Sequence, residues 1–307
     1  MTKNNIEQVK QNLSRRKLIN AIFAIVGLLT ILTAIFILLG LSLQMLIEGA
    51  PRLRPGFFLS FPSRKPEQAG ILSAWVGTTL VILVTAIAAV PLGVASGIYL
   101  EEYARKNWLS DLIEINVTNL AGVPSIVYGL LALGLFAHQL NLGQSILAAG
   151  LTLALLILPV VIVTTREALR AIPNELREAS YALGASKWQT IWNHILPYSF
   201  GSILTGVIIG LSRAIGETAP VITIGALTFI AFLPESPITR EFPFISFAWL
   251  MAPFTVMPIQ MFNWVSRPQA EFHANAAAAG IVLMAMTVTM NAIAIYFRYL
   301  FRKGIKW

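Results

Sequence analysis

Residues 211–220, LSRAIGETAP, place an arginine and a glutamate four apart in a stretch that has no other ionisable side chain from Phe200 to Leu233. A guanidinium presents paired donors in a rigid fork that fits carboxylate or phosphate oxygens. A glutamate at i+4 can hold that fork when no solute does. Within a membrane, either charge alone costs at least about 2.5–3.5 kcal/mol on insertion scales. Two readings of Arg213 and Glu217 therefore stand side by side. One is a self-compensated structural pair; the other is a solute-path or gating pair, the default expectation for ionisable residues inside a bilayer. At about 100° per residue, Ser202, Gly206, Gly210, Arg213 and Glu217 share one helix face. Gly206 and Gly210 form a G-x-x-x-G helix-packing pattern, so the charges are expected to face protein or a path, not lipid.

A second cluster lies in Arg166–Pro197, REALRAIPNELREASYALGASKWQTIWNHILP. Pro173 suits the first turn of a helix. Gly184 suits a helix C-cap, and Ser186 with Gln189 reads as a capping box. Pro197 is expected to stop the second helix. Two short helices bent at Gly184 follow. In the second, Trp188, Ile191, Trp192 and Ile195 fall on one face, and Lys187, Gln189, Thr190, Asn193 and His194 take the others. That amphipathicity fits a helix lying on headgroups and equally one docking on a partner.

The elements that must carry these groups are membrane spans. The chain has 307 residues, 56% hydrophobic and only 12% charged, about half the charge of a soluble domain. Several runs reach the roughly 20 apolar residues that cross a bilayer core. The fold class is all-α, with six spans expected near 18–46, 71–99, 119–139, 145–165, 199–220 and 275–299. Residues 1–70 read as a basic arm, a retained first span and an outer loop, and residues 71–307 as the core. The apolar run after the basic arm is too long for a signal peptide. A Pro-Ser break at 124–125 inside the third span reads as a packing kink. Residues 242–265, interrupted by Pro243, Pro253 and Pro258, suit an interfacial or re-entrant segment better than a straight span.

On this layout fifteen basic residues lie on one side: Lys3, Lys10, Arg15, Arg16, Lys17, Arg105, Lys106, Arg166, Arg170, Arg177, Lys187, Arg298, Arg302, Lys303 and Lys306. Six lie on the other: Arg52, Arg54, Arg64, Lys65, Arg240 and Arg267. Both termini are therefore expected in the cytoplasm. The net charge of +8 reflects this flanking of spans and is no nucleic-acid signal. YLEEYARK at 99–106 reads as a cytoplasmic helix start whose charges form a solvated or headgroup-facing surface. There is no cysteine, which excludes thiolate metal sites. His138, His194 and His273 are scattered outside any ligand pattern, so no metal site is expected. No nucleophile motif is present, and no enzymatic activity is expected.

With these residues in view, the loop resembles the EAA loop of ATP-binding-cassette importer permeases. The match rests on EAS at 178–180, Gly184 four residues past Ser180, and Leu196-Pro197. Ser180 stands where the motif has alanine, and His194 where the family usually has an aliphatic residue. The resemblance implies that Glu178, Ala179, Gly184, Leu196 and Pro197 couple to a cytoplasmic ATPase. No G-x-x-x-x-G-K-[ST] phosphate loop is present, so the resemblance places ATP and magnesium in that separate subunit, with no cofactor on this chain. SRAIGETAP is similar to the fifth-span signature of the permeases of the high-affinity phosphate importer, and TNLAGVPSIVYGL at 118–130 to their third span. Residues 267–295 resemble the end of the A-type permease, within the binding-protein-dependent inner-membrane component family. The resemblance covers roughly residues 70–307. It implies a type I importer permease fold in a bacterial inner membrane, and phosphate passage at Arg213 and Glu217. The implied partners are a second, C-type permease, two ATP-binding subunits, an extracytoplasmic phosphate-binding protein and membrane lipid. A permease for sulfate or molybdate, or an ATP-independent channel, are the alternatives.

Overall fold

The computed structural model describes residues 3–105, 107–236, 238 and 246–303. Lys106, Arg240 and Lys306 of the charge census, and residues 242–245 of the proline-rich segment, lie outside the described residues. Among the described residues, five helical stretches are long and apolar enough to cross a membrane. A sixth span is reached only by joining two helices bent by 104°.

Helix α1 (Lys3–Gly49) is apolar around its whole circumference from Leu18 to Ile47, and none of its most apolar window is buried by the rest of the chain. A helix hydrophobic on all sides needs an apolar surrounding, which a bilayer supplies. It joins the body at its end, where Gly49 backs against Ala277 and Ala278 and Met45 meets Gly280. Short α2 (Pro55–Leu59) follows, and its Phe57 is buried. Helix α3 (Leu72–Ile98) runs on through a π-helical turn at Tyr99–Tyr103.

Helix α6 (Ile146–Arg170) is the axis of the fold, two-thirds of its apolar window buried. Its contact with α3 is a seam of small residues. A Cβ on Gly93 or Gly97 would meet Val161 or Thr165 at 2.7 Å, and one on Gly150 would meet Val84 at 2.4 Å. Small residues let helix backbones close up where lipid offers no hydrophobic drive. The Thr85 hydroxyl reaches the Gly150 carbonyl across this seam at 3.1 Å. Helix α9 (Leu196–Gly216) lies against the same axis: Gly206 sits under Thr164, and Gly210 near Ile157 and Val161.

The expected third span is broken. Helix α4 (Trp108–Leu120), capped by Asn107, ends before Pro124, and α5 (Ser125–Ala132) starts in a new direction and finishes in a π-helical stretch at Leu133–Gln139. The sequence placed a kink here; the structure makes it an elbow. Proline disfavours helix in the residue before it, and Gly129 of α5 packs directly on Pro220 and Thr223 of α10 (Ala219–Ile224).

The described part of 242–265 is re-entrant in form. Residues 253–256 are extended and largely buried, and α11 (Met257–Val265) follows. Their backbone is satisfied by neighbours: Met257 N–H donates to the Thr78 hydroxyl at 2.8 Å, Leu227 N–H to the Phe254 carbonyl, and Ile146 N–H to the Ala252 carbonyl. Non-helical chain at this depth is tolerated only when protein satisfies it. Helix α12 (Ala270–Lys303) closes the bundle, with Ser212 bonded to Asn291 at 2.6 Å and Arg298 to Thr205 at 2.8 Å.

Candidate functional site

The loop between the fourth and fifth expected spans folds as its punctuation predicts, with two departures. Helix α7 (Asn174–Ala182) follows Pro173 and ends before Gly184, whose φ of 83° suits glycine. The Ser186–Gln189 capping box is formed on both sides and opens α8 (Lys187–Thr190). Glu178, Ala179 and Gly184 are exposed, and beside them Leu183 is 90% exposed. Leu196 is half-buried and Pro197 exposed.

Pro197, however, does not stop the helix. A π-helical turn at Ile191–Ile195 joins α8 to α9 into one continuous stretch, Lys187–Gly216. The widened turn lies where the proline ring would crowd the preceding carbonyls and leave one without its donor. The expected apolar face is also divided between the chain's own core and its surface. Ile191 and Ile195 are buried, whereas Trp188 and Trp192 remain more than half exposed and stack with ring centroids 5.5 Å apart.

The residues that hold this loop in place were read from sequence as solvated surface. Glu101 and Glu102, on the π-helical turn after α3, are instead partners of three arginines. Arg177 of α7 donates twice to Glu102, at 2.7 and 3.2 Å, and also to the carbonyls of Leu169 and Ile172 at the end of α6. Arg170 makes a two-pronged contact with Glu101 at 2.9 and 3.1 Å. Arg166 ties Glu114 of α4 at 2.8 Å and approaches Glu101 at 3.5 Å. These groups border a polar cleft of about 780 Å³. The Ser180 hydroxyl, at the position that departs from the motif, bonds Thr190 at 2.8 Å and braces α7 against α8.

The intramembrane pair is built differently. Helix α9 ends at Gly216, and Glu217 has extended backbone, with α10 beginning two residues later. The expectation that Glu217 continues the helical face is thus corrected. The expected common face with Gly206 and Gly210 is corrected too. Those glycines are buried against α6, with Ile203, Val207 and Ala214, while Arg213 lies on the flank of that arc, 40% exposed, beside exposed Ser202, Ile209 and Gly216. Arg213 Nε still meets Glu217 Oε1 at 3.3 Å, across the helix end. Among the described residues this is the guanidinium's one hydrogen bond. The Glu217 side chain, 19% exposed, turns inward and borders a small gap with Thr78, Ile82 and Val256.

His138, His194 and His273 are not brought together, and among the described residues no cluster of three metal-ligating side chains occurs.

The model of the family described as "Binding-protein-dependent transport system inner membrane component" matches residues 89–307. The chain belongs to this family. As a multi-pass inner membrane transport component it is similar to the protein named phosphate transport system permease protein PstA of Yersinia pestis, 32% identical over 92% of this chain and 89% of that one. It is 30% identical to the probable ABC transporter permease protein YqgI of Bacillus subtilis (strain 168), over 83% of this chain and 87% of the relative. PstA 1 of Mycobacterium tuberculosis (strain CDC 1551 / Oshkosh) is 44% identical over 52% of this chain and 53% of its own length. Among solved structures, the inward-facing MetNI methionine ABC transporter matches with a TM-score of 0.55 at 15% identity, over 73% of this chain and 94% of that chain. That likeness fixes the importer permease fold and nothing about solute. The exposed α7 and the flank of α9 bearing Arg213 are both left uncovered by the chain itself.

Proposed function

We propose that the chain is the A-type permease subunit of an ATP-driven importer of inorganic phosphate. The observation that carries this reading is an under-bonded guanidinium at a helix break. Arg213 keeps one bond of 3.3 Å and is 40% exposed, in a chain similar over most of its length to a protein named phosphate transport system permease. A guanidinium with donors to spare suits a phosphate oxyanion, which can engage two of them at once. Glu217 holds the arginine between passages and competes with the solute, which keeps binding weak enough for release. The extended backbone at Glu217 gives the pair room to part.

The exposed flank of α9 supports a path completed by a second, C-type permease. Exposed Glu178, Ala179 and Leu183 on and beyond α7 support docking of two ATP-binding subunits, which carry the ATP and magnesium. An extracytoplasmic binding protein delivers phosphate from the other side, and both termini lie in the cytoplasm. Residues 71–307 form the permease core and residues 1–70 an added span and loop.

The test is uptake of labelled phosphate by energised cells that lack their own importer and express this chain with its partner subunits. Uptake is expected only when chain and ATPase are both present, with excess sulfate or molybdate competing poorly. Equal displacement by sulfate or molybdate would overturn the phosphate assignment, and uptake without the ATPase would make the chain a channel.

A further inference from the structure

Helix α7 presents its outer face to the cytoplasm and is joined to the spans by few links. Its backbone draws closer to α8 than to any membrane helix. Apart from the flanking chain, two of its side chains are hydrogen-bonded to the rest among the described residues. Ser180 to Thr190 joins it to α8 and hence to α9. The other is Arg177. Its guanidinium bonds the Leu169 carbonyl in the last turn of α6 and the Ile172 carbonyl just past that helix, and also the Glu102 carboxylate. The contact with Glu102 is the most enclosed ion pair among the described residues, with side chains 14% and 6% exposed.

Glu102 ends a single rod, Leu72–Tyr103. About 36 Å of helix further along that rod, Thr78 accepts the Met257 N–H of the re-entrant segment. Thr78 also borders the gap into which Glu217 turns, together with Ile82 of the same helix. One side chain thus ties the exposed helix to the far end of a rod that touches the surroundings of Glu217. Pro91 lies inside that rod, and the packed seam with α6 on both sides of it, at Val84, Gly93 and Gly97, carries a displacement past it.

We propose that Arg177 and Glu102 form the strut through which displacement of α7 reaches α3 and the surroundings of Glu217, and that both are positioning residues for transport. This rests on the reading of residues 174–196 as the ATPase-coupling segment. Glu102→Ala cuts the link to α3 selectively, because Arg177 keeps its two carbonyls in and just past α6. Arg177→Lys keeps the charge but loses the planar fork that bonds three elements together.

The experiment uses the whole complex, with partner permease and ATPase subunits, reconstituted in vesicles. It measures ATPase copurification and phosphate taken up per ATP hydrolysed. Copurification is expected to hold in Glu102→Ala while uptake per ATP falls about fivefold or more, the range of a typical coupling free energy. Arg177→Lys is expected to fall in the same direction. Because this chain has no cysteine, Glu102→Cys with Arg177→Cys adds its only two thiols. A short bis-maleimide across them is expected to restore the ratio, which a merely structural contact would not do. An unchanged ratio in Glu102→Ala overturns the strut. So does loss of assembly in both single variants that the bridge does not repair. If Glu178→Arg leaves docking and the ratio intact, the coupling reading itself fails and the strut falls with it.

Discussion

Two Arg–carboxylate regions of this permease use the same groups in opposite ways. In the network around the loop, Arg170 and Arg177 each give two donors to one glutamate, Arg166 bonds Glu114 through one, and two backbone carbonyls take further donors of Arg177. In the membrane, Arg213 meets Glu217 through one contact of 3.3 Å, with the arginine 40% exposed. A charge whose donors are satisfied and enclosed is fixed in place, because moving it leaves its partner desolvated and alone. A charge held by one bond has donors left for something else. The dense network suits a joint, and the sparse pair suits the solute path proposed for it.

The comparison is broken most directly at its dense end. Arg177→Leu leaves the Glu102 carboxylate enclosed without its cation, a change that costs about 3–5 kcal/mol. Unfolding of the detergent-purified chain should shift to markedly lower denaturant, and protease should cut earlier within 166–198. Arg177→Leu combined with Glu102→Leu should recover most of the lost stability, since a well-packed apolar pair is often no worse than the ion pair. If the single variant is as stable as the parent, the network is not the rigid half of the contrast.

The sparse end should respond in function, not in stability. Arg213→Gln removes a charge-assisted contact worth about 1.5–3 kcal/mol, so phosphate uptake is expected to fall about 10- to 100-fold while membrane abundance and ATPase copurification hold. Loss of assembly in proportion to uptake would make the pair structural after all. Reversing it, with Arg213→Glu and Glu217→Arg, sharpens the point. The glutamate then sits on the exposed flank and repels an oxyanion, so uptake should stay low; recovery would show that a salt bridge is all the site requires.

A third contrast lies within α9 itself, between its packed arc and its open flank. A Cβ on Gly206 would fall 2.0 Å from the Thr164 hydroxyl, so Gly206→Ala should destabilise by about 1–3 kcal/mol through overpacking. Ser202→Ala, on the exposed flank, should stay within about 0.5 kcal/mol. Equal responses in thermal unfolding would erase the distinction between the two sides of the helix.

What could be read in the sequence depended on how local its cause was. Gly184, the Ser186–Gln189 box and the break at Pro124 depend on backbone chemistry over a few residues, and each appears where expected. Arg177 and Glu102 are 75 residues apart, and nothing in YLEEYARK distinguishes a bonded carboxylate from a solvated one. Gly93 and Gly97 did carry a readable signal, the same G-x-x-x-G spacing as Gly206 and Gly210, and they mark the seam between α3 and α6. Trp188, Ile191, Trp192 and Ile195 share one arc, but periodicity does not say where the neighbouring helices end, so the split into buried Ile191 and Ile195 and exposed Trp188 and Trp192 was not legible. The π-helical turn at Ile191–Ile195 was not legible either, because sequence rules treat Pro197 as a terminator. Arg213 was expected on a face that packs on helices or lines a path, and its place on the open flank was not legible more finely, because angles along a helix say which residues are neighbours, not how wide the neighbouring helix is.

The smallest expected effect tests whether the joint is graded. Ser180 and Thr190 share one buried bond of 2.8 Å between neutral hydroxyls, and such a bond contributes about 0.5–1.5 kcal/mol net. Ser180→Ala restores the residue typical of the resembled motif but leaves the Thr190 hydroxyl, which also donates to the Ser186 carbonyl at 3.1 Å. Because that second acceptor survives, the loss should sit near the lower end of the range. Ser180→Ala with Thr190→Val removes both hydroxyls and should be no worse than the single change, since no polar group is then left buried alone. The readout is the rate of proteolysis within 166–198, compared with that of Arg177→Leu. If Ser180→Ala loosens the loop as much as Arg177→Leu does, the brace to α9 matters as much as the charged link to α3. The distinction between dense and sparse bonding would then give way to one between two routes into the same bundle.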